Sequence, residues 1–142
     1  LGAMGIICPD RNPLLGLVSL VAPAVAMGNA VIVIPSERAP LVATDFYQVL
    51  ETSDVPAGVV NIITGSRSML AAELAKHDNV DALWCAGDQE LATTVEKLSI
   101  GNLKQTWTFS GDRDWFDSRV GEGGEFLRRA TQVKNLWVPY GE

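Results

Sequence analysis

Short apolar runs recur along the chain, and between them lie longer stretches whose apolar residues fall at helical spacing. The run that organises the rest is Ala30-Val31-Ile32-Val33-Ile34. An unbroken apolar, β-branched run of this length suits a strand covered on both faces. Pro35 has no N–H to donate and ends the ladder. The chain turns on Ser36 and Glu37 and restarts as a helix at Pro40. Ser36 and Glu37 then stand at the carboxyl end of a strand, where open parallel sheets bind ligands.

The other segments follow the same alternation. Ala3 to Cys8, Val59 to Thr64, Asp81 to Ala86 and Lys104 to Phe109 read as further strands. Pro13 to Met27 is apolar nearly all round and reads as a buried helix, capped by Asn12, kinked before Pro23 and stopped by Gly28-Asn29. Pro40 to Glu51, Met69 to Lys76 and Gln89 to Ile100 read as three more helices. Gly65 and Gly87 supply tight turns, Ser66 or Ser68 caps the third helix, and Asp88 caps the fourth. Strands alternating with helices predict the α/β class: a doubly wound parallel sheet of about five strands with helices on both faces.

The pattern changes after Phe109. Ser110 to Gly124 is polar and glycine-rich and reads as a loop in which Trp115-Phe116 offers either core or a docking surface. A short helix from Glu125 to Thr131 and a last strand from Gln132 to Val138 follow. That strand comes after the main sheet is complete, and an unpaired strand seeks an edge.

Composition narrows the function classes. The chain has 142 residues, 47% hydrophobic and 20% charged, which is globular and expected to be one domain. Its net charge of −6 argues against nucleic acid or an anionic membrane surface as partner. Gly28 and Asn29 split the apolar stretch from 13 to 35 into a helix and a strand, so no membrane span is expected. Cys8 and Cys85 give no disulfide framework and lie in expected strands, so inert thiols and a cytoplasmic setting follow. An opening Leu-Gly-Ala without a signal peptide suggests a piece of a longer protein. His77 precedes an Asp at a helix end, where its charge suits the dipole. Arg128-Arg129 reads as a solvated helix face. No G-x-G-x-x-G, P-loop, Cys-x-x-Cys pair or H-E-x-x-H occurs.

Literal residues add more. Asn12-Pro13-Leu14, Ala26-Met27-Gly28-Asn29-Ala30-Val31, Pro35-Ser36-Glu37-Arg38-Ala39-Pro40-Leu41, Val55-Pro56-Ala57-Gly58-Val59-Val60-Asn61, His77-Asp78-Asn79-Val80-Asp81 and Asn102-Leu103-Lys104 come in order and in register. Together they resemble the cofactor-binding domain of the aldehyde dehydrogenase superfamily. The tail from Arg128 to Val138 resembles that family's C-terminal oligomerisation strand. The resemblance implies a Rossmann-like domain over residues 1–111, a loop at 112–124 in place of the catalytic domain, and a C-terminal helix and oligomerisation strand over 125–142. It implies vestigial cofactor positions at Pro35, Ser36, Glu37, Gly65 and Gly87. Glu37 reads either as the ribose ligand or as a solvated charge at the helix start.

Departures from the family's pattern matter as much. The position of the oxyanion-hole Asn, in Pro-Trp-Asn-x-Pro, is Arg11, and that of the preceding Trp is Asp10. The Lys before Pro-Ser-Glu is Ile34, and the pyrophosphate-contacting Ser after Phe-Thr-Gly is Asp88. Phe109 holds the place of the general-base Glu, and no segment corresponds to the domain that carries the nucleophilic Cys. Thioester chemistry needs thiolate, base and oxyanion donors together. The reading is therefore the shortened C-terminal unit of a two-unit aldehyde dehydrogenase: non-catalytic, with no cofactor expected in this fragment and NAD(P) in the parent enzyme. Its partner would be a second copy or the upstream enzyme unit, paired through 132–138. The alternative is an NAD-binding regulatory module of the same enzyme, motivated by Glu37, Gly65 and Gly87.

Overall fold

The computed structural model describes residues 1–141. Five parallel strands, β1 (Ala3–Ile7), β2 (Ala30–Ile34), β3 (Val60–Ile62), β4 (Ala82–Gly87) and β5 (Gln105–Ser110), form one sheet in the order β3-β2-β1-β4-β5. The expected α/β architecture is present. β1, β2 and β4 read as unbroken apolar runs because both faces of the central strands are covered: Ile6, Val33 and Trp84 face one core, Ile7, Ile34 and Cys85 the other.

Four helices connect the strands: α1 (Pro13–Ala26), α2 (Leu41–Glu51), α3 (Arg67–Lys76) and α4 (Gln89–Leu98), the last running on as a 3-10 turn over Ser99–Asn102. α1 and α2 pack together on one face of the sheet, α3 and α4 on the other. The chain winds outward from β1 to β3, then returns to lay β4 against the free side of β1. The order therefore reverses between β1 and β4, and the carboxyl ends of those two strands open a crevice. Among the described residues, no helix is long and apolar enough to cross a membrane.

Local chemistry explains the punctuation, with two departures at helix starts. Asn12 does not cap α1 with its side chain; it stands at φ 51°, in the left-handed region, and its carbonyl accepts from the Gly16 N–H at 2.8 Å. α3 begins at Arg67, earlier than expected, and neither Ser66 nor Ser68 caps it; the two hydroxyls lie 3.2 Å from each other instead. Asp88 does cap α4, its Oδ1 accepting from the Leu91 N–H at 2.8 Å.

The Asn102-Leu103-Lys104 run, which matched by pattern, has a structural use. Leu103 turns the chain at φ 57°, and Asn102 Nδ2 donates to the carbonyls of Asp78 and Val80 at 2.7 and 3.0 Å. Lys104, only 9% exposed, donates from Nζ to the carbonyls of Leu74, Ala75 and His77 at 3.2, 2.8 and 2.7 Å. Ala75 supplies an acceptor left free at the end of α3, while the Leu74 and His77 carbonyls also accept from the His77 and Val80 N–H at 3.3 and 3.2 Å. Burial lowers the ammonium's pKa, and Asp78 and Asp81 offset part of that. Lys104→Met is expected to cost about 2 kcal/mol in urea unfolding, because the buried Ala75 carbonyl loses its donor and two further carbonyls lose a charged one.

The C-terminal part departs furthest from the expected picture. Residues 110–124 are not a featureless loop: Ser118–Gly121 forms one helical turn, α5, because Asp117 accepts from the Arg119 N–H at 3.0 Å. Gly124–Arg129 follows as α6 and packs on α1. Trp115 is no docking surface; it is 3% exposed and stands 6.2 Å from the Phe109 ring and 6.5 Å from the Phe126 ring. Phe126 in turn meets Trp84 and Trp107 edge-on at 6.3 and 5.4 Å. The Arg113 guanidinium closes this wall, 5.1 to 5.5 Å from the rings of Trp107, Phe109 and Phe126. Residues 132–141 carry no strand, pair with nothing among the described residues and are exposed throughout.

Candidate functional site

Residues from β1, β2, α3 and β4 meet in the crevice between β1 and β4. A volume of about 510 Å³ is lined by Asp10, Arg11, Arg67, Gly87, Asp88 and Gly111, among others. A second volume of about 360 Å³ continues it toward Glu37, Ser66 and Thr94. A third, of about 350 Å³, lies over Pro35, Ser36, Glu37, Thr64 and Gly65. The expected positions are thus brought to one end of the sheet: Pro35, Ser36, Glu37 and Gly65 share one hollow, and Gly87 lines its neighbour.

Ser36, Asp10 and Glu37 there already have intramolecular partners, whereas Arg67 Nε is buried without a hydrogen-bond partner. Ser36, 2% exposed, donates to Asp10 Oδ1 at 2.7 Å and accepts from the Ala39 N–H at 3.2 Å. Asp10 leaves β1 just past Pro9 and faces Arg67 Nη2 at 2.5 Å. The Arg38 N–H also reaches it at 3.4 Å. Burial raises the Asp10 pKa, but the Ser36 hydroxyl, the Arg67 charge and the Arg38 N–H together hold it below the usual carboxylate value. Glu37 Oε2 accepts from the Arg67 N–H at 3.0 Å, so it reaches across from the β2 end to cap α3. Gly65 takes φ 155°, and a Cβ at Gly87 would come within 2.8 Å of Leu91 Cδ2.

Neither cysteine lines this crevice. Cys8 and Cys85 are wholly buried, and burial pushes each thiol up to about 12. Both are therefore protonated at neutral pH, without nucleophilic thiolate. Phe109, in the place of the family's base, packs 4.6 Å from the Trp107 ring and has no atom that takes a proton. Arg11 is exposed and donates from Nη1 to the Asp112 carbonyl at 3.2 Å. Among the described residues no group of three or more His, Cys, Asp or Glu could hold a metal. His77 ends α3, and its Nδ1 accepts from the Asn79 N–H at 3.2 Å.

Sequence reasoning noted Asp10 only as a departure and passed over Arg67. The signal available was slight: a carboxylate directly after a strand-ending Pro9, and an arginine two residues past Gly65 at a helix start.

Residues 1–111 match the sequence profile described as aldehyde dehydrogenase family. The 2-hydroxymuconic semialdehyde dehydrogenase of Pseudomonas putida is 37% identical over 105 residues, 73% of this chain and 22% of that protein. Among solved structures, aldehyde dehydrogenase C of Pseudomonas syringae, in complex with NAD+ and octanal, superposes with a TM-score of 0.73 at 30% identity, covering 75% of this chain and 22% of that one. Betaine aldehyde dehydrogenase of Staphylococcus aureus, in complex with NAD+, gives 0.73 at 28% identity over 77% and 22% of the two chains. The chain spans about a fifth of the length of the curated relatives it matches.

Proposed function

The chain belongs to the aldehyde dehydrogenase family, and we propose that within it this domain is non-catalytic and serves assembly or support of a larger enzyme. The parent in this reading oxidises an aldehyde with NAD(P), as the names and bound ligand of the relatives suggest. The chain keeps the sheet and helices of a cofactor domain. It offers no thiolate, no proton-accepting side chain at Phe109 and no Asn among its crevice-lining residues to hold an oxyanion.

One observation carries the assembly half of this reading: the segment after α6. Val133, Leu136, Trp137, Val138 and Tyr140 are each at least 76% exposed, on backbone that pairs with nothing. Apolar side chains on an extended, unpaired segment are the recognition element of strand addition, in which backbone bonds supply affinity and alternate side chains fill pockets. The segment supplies a strand to a second copy or to the upstream enzyme unit. Sedimentation velocity tests this. The full chain is expected to run as a dimer and a chain truncated after Thr131 as a monomer; a strict monomer in both forms counts against assembly.

A further inference from the structure

We propose that the crevice between β1 and β4 is self-liganded: the carboxylates of Asp10, Glu37 and Asp88 take the places where a dinucleotide's anionic and hydroxyl groups would bind, so this domain takes no dinucleotide. The inference concerns the crevice alone and does not depend on the tail.

A doubly wound sheet holds a dinucleotide by presenting free N–H groups at helix N-termini, and positive charge, to the pyrophosphate. At each helix start that borders this crevice, a carboxylate of the chain already holds one such N–H. At the N-terminus of α3, the Arg67 N–H donates to Glu37 Oε2 at 3.0 Å. At the N-terminus of α4, the Leu91 N–H donates to Asp88 Oδ1 at 2.8 Å. The inward guanidinium, Arg67, has a side chain only 14% exposed and faces Asp10 at 2.5 Å. Ser36 and the Arg38 N–H hold Asp10 in that place from the other side. The remaining cations do not tip the balance, since Arg11 and Arg38 share the lining with Asp112, Asp88 and Asp10.

The donor set therefore does not fit the cofactor that the relatives' structures hold. A pyrophosphate entering here would displace carboxylates from their donors and then sit beside them. A like charge about 5 Å away, at the intermediate polarity of a protein surface, weakens binding by about tenfold or more. Glu37 shows the same inversion. A ribose-binding carboxylate must present free oxygens to the sugar diol, and here one oxygen is spent on the backbone of α3.

Calorimetric titration of the full chain with NAD+, NADP+ and inorganic pyrophosphate tests the proposal, alongside Asp88→Ser and the double variant Asp10→Asn with Asp88→Ser. Serine keeps the cap on α4, so the single variant is expected to fold even where loss of the Asp10 partner unsettles the double one. The expected result is no saturable heat for the parent chain up to millimolar ligand. Pyrophosphate affinity in Asp88→Ser should rise by about tenfold, and further in the double variant as Arg67 is released. Saturable NAD+ or NADP+ binding by the parent chain overturns the proposal while leaving the sedimentation result untouched. Variants that bind pyrophosphate no better than the parent also overturn it, because the carboxylates would then not be what excludes the ligand.

Discussion

Trp84→Ala is expected to lower the unfolding free energy by about 4 kcal/mol, the upper range for truncating a fully buried aromatic. Trp84 is 1% exposed at the middle of β4 and is the largest fully buried side chain among the described residues. Its ring meets Trp107 edge-on at 5.2 Å and Phe126 at 6.3 Å, so removal leaves a cavity and also ends two aromatic contacts. The void sits between the sheet and α6, lined by the Trp107 and Phe126 rings. Set against a typical total of about 5 to 15 kcal/mol for a domain, the loss is severe. Urea unfolding followed by far-ultraviolet circular dichroism reads it free of the altered tryptophan fluorescence. Trp84→Phe is expected to recover more than half of the loss, since most of the ring volume returns.

The second large effect concerns Asn29, which reads in the sequence as no more than part of a helix stop. Gly28 provides that stop at φ 83°, and Asn29 does something else. It is 2% exposed; its Nδ2 donates to the carbonyls of Ala24 and Ala130, each at 2.9 Å, and its Oδ1 accepts from the Gly2 N–H at 3.0 Å. One side chain therefore ties the chain's start, the end of α1 and the end of α6. Asn29→Ala is expected to cost about 3 kcal/mol, because the Ala130 carbonyl and the Gly2 N–H lose their side-chain partner at once, while the Ala24 carbonyl keeps only the Asn29 N–H at 3.2 Å. It should also loosen α6, which hydrogen exchange at Phe126 to Ala130 would show as lost protection. Asn29→Asp is expected to cost at least as much, because it keeps the acceptor for Gly2 but buries a carboxylate oxygen against the Ala24 and Ala130 carbonyls.

These residues show what a sequence read alone can and cannot reach. β1, β2 and β4 were legible because burial on both faces leaves an unbroken apolar run. The α1 and α4 boundaries were legible because Pro13, Gly28 and Asp88 act within one turn of where they stand. The crevice was legible as a place, from the strand ends and the glycines at 65 and 87. Its wiring was not. Asp10 and Arg67 lie 57 residues apart in sequence, and nothing local marks them as a pair. Trp115 sits in a polar, glycine-rich stretch that looks solvated, and only the packing of Phe109 and Phe126 against it reveals a core position. The tail pattern predicts a strand, but a strand needs a partner, and residues 132–141 pair with neither outer strand of the sheet, β3 or β5.

In the reading proposed above, a nucleotide-type framework has lost the groups that would oxidise an aldehyde. The measurement that meets this claim most directly is NADH formation by the purified chain, supplied with NAD+ and a panel of short aldehydes at neutral and mildly alkaline pH. The prediction is a rate no greater than that of the protein-free mixture for every aldehyde. NADH formation that rises in proportion to the concentration of this chain would contradict it.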